Sequence, residues 1–257
     1  MNTEARHGRP ALRWLAAGAG FATALYATHA GFTWLRYGHP PGPARDEIDP
    51  LLDQFIPAYE VVDRHSLRVA APAETTLASA CDMDLTQSAI IRSIFRAREL
   101  VLGSHPDAVR RPQTLLAWAR ELGWAVLAEI PDREIVFGAV TIPWVANPVF
   151  RPLPPAEFAE FNEPGYARIA WTLRADPIDA TDSMIRTETR VATTDPASRA
   201  AFRRYWSLVS PGVGLIRRLS LRLVKSEAER RMRTAMPEPC SAESQPLLST
   251  INKTQGM

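Results

Sequence analysis

The sequence predicts an α+β domain carried behind one apolar N-terminal helix, and three observations predict it. A run of 22 residues without formal charge, Trp14 to Leu35, lies near the start. Beyond it the spacing of apolar residues changes from alternation over residues 59–70, to three-to-four spacing between residues 73 and 122, and back to alternation through residue 193. A basic helical stretch with an aromatic stripe then closes the folded part, from Asp195 to Arg233.

Composition bounds the function. With 257 residues, 46% of them hydrophobic and 23% charged, the chain is neither a disordered tail nor a disulfide-stapled mini-protein. A net charge of +2 supplies no field for dedicated nucleic-acid binding. Cys81 and Cys240 have no partner at metal or redox spacing, so neither metal nor cofactor is expected. Of the 30 basic residues 28 are arginine, and their scatter singles none out.

The uncharged run reaches about 33 Å at roughly 1.5 Å per residue, enough for a hydrocarbon core of roughly 30 Å. Trp14 stands at one end and Trp34 and Tyr37 at the other, the positions that interfacial aromatics favour. A cleaved signal peptide would use the small residues Thr28 and Ala30, but the apolar run continues from Gly31 to Leu35, past the length of a signal core. An uncleaved single-pass anchor is the expectation. Arg6, Arg9 and Arg13 before it place the N-terminus in the cytoplasm and the domain on the periplasmic or extracellular side. Gly20, Ala24 and Thr28, with Ala27 and Gly31, repeat at four-residue spacing and predict weak self-association.

Residues 1–13 are thus read as cytoplasmic, 14–37 as the transmembrane anchor, 38–57 as a proline-rich spacer, 58–234 as the folded domain and 235–257 as a disordered tail. Within the domain His65, Leu67 and Val69 alternate with Arg64, Ser66 and Arg68, which predicts the first strand. His65 reads as a structural strand residue. Helices are expected at residues 73–81, 88–102 and 112–122. A hairpin follows, with strands at 124–130 and 134–142 about the turn Pro131-Asp132-Arg133. A second hairpin joins residues 166–175 to 183–193. Its apolar face holds Ile169, Trp171, Leu173, Ile185, Thr187, Thr189 and Val191, and its other face Arg168, Arg174, Arg186, Glu188 and Arg190. Glu188 among arginines reads as a surface ion network, with Arg168 expected opposite Glu188 or Arg190.

Asp195-Pro196 and Ser210-Pro211 both have the form of a helix start, so two helices or one kinked helix are expected. Phe202, Trp206 and Val209 form the first stripe. Leu215, Ile216, Leu219 and Leu223 form the second, with Arg217, Arg218, Arg222 and Lys225 placed off it. No glycine-rich phosphate loop, zinc-ligand spacing, nucleophile elbow or internal repeat is found.

The order of strand, helices, strand meander and long terminal helix resembles the START-like (SRPBCC) helix-grip superfamily. The resemblance covers residues 56–232. It is carried by Val69-Ala70-Ala71-Pro72-Ala73-Glu74, by Glu134-Ile135-Val136-Phe137-Gly138 and by the terminal helix. Ile169-Ala170-Trp171-Thr172-Leu173 and Arg186-Thr187-Glu188-Thr189-Arg190 are similar to uncharacterised membrane-anchored bacterial members. The break at Pro211 and the extra segment 143–164 depart from the simplest pattern. Membership implies a curved antiparallel sheet gripping a helix over an apolar cavity, and members either bind lipids and other apolar molecules or act on them. The expected function is therefore a membrane-anchored, non-enzymatic binder of an apolar small molecule or lipid, its cavity lined by Phe137, Trp171, Thr187, Thr189 and Phe202. The alternatives are a cyclase-, dehydratase- or hydrolase-like enzyme using the same cavity, and an interaction protein whose cavity is filled by its own side chains. No catalytic residue is assigned.

Overall fold

A computed structural model describes residues 8–85, 88–103 and 113–235. The tail expected beyond residue 235, and Arg6, lie outside the described residues. The elements are α1 (Gly8–Arg36), α2 (Pro50–Asp53), β1 (Val61–Val69), α3 (Ala73–Cys81), α4 (Ala89–Leu102), α5 (Leu115–Glu121), β2 (Ala125–Ile130), β3 (Glu134–Thr141), α6 (Pro155–Glu160), β4 (Ala167–Pro177), β5 (Ser183–Thr193) and α7 (Pro196–Ala235). Five strands form one antiparallel sheet in the order β1-β5-β4-β3-β2, with α7 packed on β1 and β5. That is the helix-grip arrangement: a meander whose first strand returns to the edge beside the last, closed by the C-terminal helix.

Local chemistry fixes these elements. Asp132 takes a positive φ of 59° in the turn between β2 and β3. An extra residue shifts the β2–β3 register between Val126 and Ala128. The Leu127 side chain packs over Gly138, where an added Cβ would sit 2.4 Å from its Cδ1, so a larger residue there would have to push Leu127 aside. Thr114 caps α5. Asp195 caps α7 through hydrogen bonds that its carboxylate accepts from the Ala197 and Ser198 amides.

The strand-rich half of the sequence reading holds with small changes of boundary. The second hairpin has a different register, with Arg168 opposite Ala192, Ala170 opposite Arg190 and Trp171 opposite Thr189. Arg168 therefore meets neither Glu188 nor Arg190. Arg174 faces Arg186, a like-charge pair that Asp176 relieves by accepting from both, at 2.8 and 3.0 Å.

α7 bears out the single-helix alternative and corrects the apolar face assigned to its C-terminal half. It is one continuous helix of 40 residues with Pro211 inside it. Its buried positions in the C-terminal half are Leu221, Val224 and Ala228, whereas Leu215, assigned to the apolar face, is exposed. The segment carries more than one apolar stripe. Contact with α3 and the sheet selects the stripe with the smaller side chains.

A second correction concerns the outer face of the sheet. Its charges are not on a solvated surface, because the stretch expected to be a free spacer folds over them. Arg45–Glu47 make a short 3-10 turn and Asp49 caps α2, accepting from the Leu52 amide at 2.8 Å. Leu52, Phe55 and Ile56 then join Val136, Val140, Phe158 and Ala170 in an outer core, closed at one side by α6. Every residue of β3 is buried as a result. Neither α2 nor α6 was expected.

Where the anchor was expected, α1 forms as a single helix whose apolar residues are not gathered on one face. Among the described residues no helix is long and apolar enough to cross a membrane. The C-terminal turns of α1 lie along α7. Tyr26 donates to the Leu208 carbonyl, His29 and Thr33 meet Ser210, and Arg203 donates to the Trp34 carbonyl from above its ring.

If residues 45–56 belong to the core, Leu52→Ala should lower the stability of the domain by about 2–5 kcal/mol, the usual range for emptying a buried leucine site. A denaturant midpoint equal to that of the unmodified chain would mean that the segment is a spacer after all.

Candidate functional site

The face of the sheet turned toward α7 is built from alternate residues of β1, β5 and β4. In β1 these are Val61, Asp63, His65, Leu67 and Val69, which pair with Val191, Thr189, Thr187, Ile185 and Ser183 of β5. Ile169, Trp171 and Leu173 continue the same rows in β4. Both ends of this face are apolar. At one end Val69, Leu173 and Ile185 pack with Leu221 and Val224 of α7, and at the other Val61, Val191 and Ile169 pack with Phe202 and Tyr37. The rows between them carry Asp63, His65, Thr187 and Thr189.

α7 matches this pattern. The stripe that runs through Leu221, Val224 and Ala228 continues, one and two turns earlier, to Arg217 and Gly214. Arg217 donates to the Thr189 hydroxyl at 2.9 Å, and its guanidinium carbon lies 5.2 Å from the centre of the Trp171 ring. Part of the side chain keeps some accessible surface, but the guanidinium is enclosed. Desolvation holds its pKa below the ordinary arginine value, with Asp63 acting in the opposite sense. Among the described residues no carboxylate lies within ion-pair distance of it. An added Cβ at Gly214 would meet a single neighbour, His65 Nε2 at 4.0 Å, so the helix passes directly over the histidine with room for no more than a small side chain.

His65 Nε2 lies 2.9 Å from Asp63 Oδ1 without hydrogen-bond geometry. That atom, Asp63 Oδ2 and Thr187 Oγ1 are all buried and lack a hydrogen-bond partner. An unsatisfied buried polar atom costs roughly 1–3 kcal/mol. Three such atoms on neighbouring rows, under a helix that presents glycine and a cation without a carboxylate at ion-pair distance, make a polar patch between two apolar clusters. One wall is aromatic, since Phe137 stacks on Trp171 at 4.2 Å and Trp124 meets the latter edge-on at 5.9 Å.

Four of the five residues expected to line the cavity share this face. Thr187, Thr189 and Trp171 border the polar rows, and Phe137 lies behind Trp171. Phe202 does not join them. It belongs to the far apolar cluster, where its rings are Tyr37, Trp144, Tyr205 and Trp206. Asp63, Gly214 and Arg217 were missed. The alternation of β1 already puts Asp63 on the same face as His65, two residues away.

The charges on the outer face are engaged with one another. Arg64 meets Glu188 through two bonds and reaches the Tyr59 hydroxyl and the Pro41 carbonyl. Arg190 donates to Glu188, Asp53 and the Ile56 carbonyl. Glu188 is thus a buried structural carboxylate rather than part of a surface network, and it points away from the groove. At the edge of this network Glu134 is buried and faces Asp49. Desolvation, followed by the neighbouring Asp49 carboxyl, raises its pKa well above the ordinary 4.5.

A carboxyl whose folded pKa is raised gives its full stabilisation below its unfolded pKa and loses it as pH rises through the folded value. Glu134→Gln should therefore change stability little near pH 4, and its advantage over the unmodified chain should grow as pH rises through and beyond the ordinary carboxylate range. Unfolding free energies measured across that range test the sign, and a constant difference would remove the carboxyl pair from the account.

No family model matches the chain, and no curated protein matches it. Solved structures do. The Zhui aromatase/cyclase from Streptomyces sp. R1128 is 18% identical over 68% of this chain and 97% of its own, with a TM-score of 0.27. A hypothetical protein from Helicobacter pylori is 9% identical over 73% and 99%, with a TM-score of 0.35. A START superfamily protein from Mycobacterium smegmatis is 12% identical over 68% and 99%, with a TM-score of 0.28. At these scores the assignment of the fold rests on the strand order and the grip helix of the chain itself.

Proposed function

We propose that the chain, whose fold is START-like, binds an apolar small molecule or lipid with one polar end in the groove between the sheet and α7, and holds it without chemical change. The observation that carries this reading is the polar patch of Asp63, His65, Thr187 and Arg217, set beside the Phe137–Trp171 wall and between two apolar clusters. An apolar body placed along the groove would satisfy the walls, and its polar end the orphaned atoms. Gly214→Leu tests it. An added Cβ here meets only His65 Nε2, at 4.0 Å, and leucine is a better helix former by about 1 kcal/mol, so α7 should still form while the leucine side chain over His65 blocks a neutral apolar dye. Undiminished dye binding in a folded variant would sink the groove reading.

One observation favours a second reading, an enzyme of the cyclase, dehydratase or hydrolase kind. An imidazole held beside a carboxylate is the start of a general-base pair, and the His65–Asp63 contact has that form. Turnover of an activated ester that disappears in His65→Gln would establish it in place of the binder.

The N-terminal helix is read with this as a membrane anchor. Trp14, Phe21, Leu25, Phe32 and Leu35 are exposed along α1, and no formal charge interrupts them. The proposal keeps the cytoplasmic N-terminus, the domain on the opposite side and weak self-association through the small residues of the helix, and it requires the contacts of Tyr26, His29 and Trp34 with α7 to open when the helix inserts. The protein should stay with the membrane pellet in alkaline carbonate, and its release would refute the anchor.

A further inference from the structure

The groove reading leaves open what the polar end of the ligand is, and Arg217 narrows it. Resting on that reading, we propose that the ligand is an amphipathic carboxylic acid whose carboxylate is received by Arg217 and Thr187. The guanidinium offers five N–H donors in a planar fork. Its hydrogen bond is to the neutral hydroxyl of Thr189, the Trp171 ring lies against it, and the Asp63 carboxylate acts on it only from beyond ion-pair distance. Among the described residues no carboxylate is within ion-pair distance of it, whereas Arg64 and Arg190 on the opposite face of the sheet are paired with Glu188. An enclosed cation of this kind gains most from a planar anion that takes two parallel N–H bonds, which is the geometry of a carboxylate.

The neighbours in the patch set the same limit. Thr187 Oγ1 is buried, without a partner, on the adjacent strand row, and a hydroxyl can donate to a carboxylate oxygen. Asp63 borders the same space with an unpartnered oxygen, so a second negative charge on the ligand would meet it. One anionic group with a single charge satisfies Arg217 and Thr187 and stays compatible with Asp63, while a phosphate dianion does not. The aromatic wall of Trp171 and Phe137 and the apolar rows on either side take the rest of the molecule.

The test is displacement of the neutral dye N-phenyl-1-naphthylamine from the full-length chain by three ligands of equal chain length: laurate, dodecanol and dodecyl phosphate. Laurate should displace the dye at concentrations at least about tenfold lower than dodecanol, the lower end for a charge-assisted hydrogen-bonded pair. Arg217→Met should remove that preference, so that laurate displaces the dye no better than dodecanol, while Arg217→Lys keeps part of it. Equal displacement by laurate and dodecanol in the unmodified chain, a preference that survives Arg217→Met, or dodecyl phosphate surpassing laurate would each overturn the assignment while the groove still binds apolar molecules. Failure of the dye and of all three ligands to bind would overturn the groove reading, and this inference with it.

Discussion

Arg190 decides which way the sheet faces. Its side chain is 2% exposed, in the middle of the sheet, and its charge is met by Glu188, Asp53 and the Ile56 carbonyl, with the Tyr59 ring 4.8 Å from the guanidinium carbon. Breaking a buried ion pair from one side costs about 3–5 kcal/mol, because the remaining charge stays buried alone. A slip of one residue in β5 would turn Arg190 and Glu188 into the groove, leaving Asp53 without its arginine and Arg64 without its carboxylate. The network therefore does more to specify the register than to add net stability. It also makes the segment before β1 part of the fold, since Asp53 and the Ile56 carbonyl belong to that segment. Arg186 and Arg174 extend the clasp to Asp46 and to the Ile48 carbonyl.

With the outer face fixed, the inner face follows by alternation, and α7 has to match it over a long helix. The match is apolar at the ends and polar in the middle. Toward its C-terminus Leu221, Val224 and Ala228 meet Val69, Leu173 and Ile185. Toward its N-terminus Phe202 meets Val61 and Val191, with Trp206 stacked beside it. Pro211 lies between these regions without ending the helix, although proline removes an intrahelical hydrogen bond and crowds the preceding turn. Contacts at both ends of α7 hold the helix through that point. One is α1, whose Tyr26 donates to the Leu208 carbonyl one turn before the proline.

The sheet was legible in the sequence because alternation is a strong signal wherever one face is buried. Ser183–Thr193 shows its two faces in its residue types alone, and so does Val61–Val69. What could not be read was which face is covered by what. Arginines and glutamate on one face suggest solvent, and only the fold of residues 45–56 shows that Arg190 and Glu188 are buried there. Prolines 40, 41, 43, 50 and 57 gave that segment the look of a spacer, although Asp49-Pro50 is a helix start and Leu51, Leu52, Phe55 and Ile56 supply an apolar face for it. The patch was half legible. Trp171, Thr187 and Thr189 follow from the strand pattern. Asp63 was available from the same pattern but needed the i, i+2 relation to His65 to be read as a contact. Arg217 was hidden by composition, since among so many arginines only its position on the stripe of Leu221 and Val224 distinguishes it.

The middle of the groove is expensive to fold. Unpaired buried atoms on Asp63, His65 and Thr187 cost roughly 1–3 kcal/mol each, and a glycine inside a helix costs about 1 kcal/mol relative to alanine. Together these approach the whole net stability of an ordinary domain, roughly 5–15 kcal/mol. The same rows filled with the side chains found a few residues away, valine and leucine, would close the groove and join its two apolar clusters into one core. The ends of the sheet and of α7 show that this sequence can make such a core. Glycine and arginine on the helix stripe, opposite a histidine beside an aspartate, instead keep this stretch polar beside the Trp171 wall. Such an arrangement is unfavourable for the protein by itself and becomes favourable once a molecule of matching polarity occupies the space.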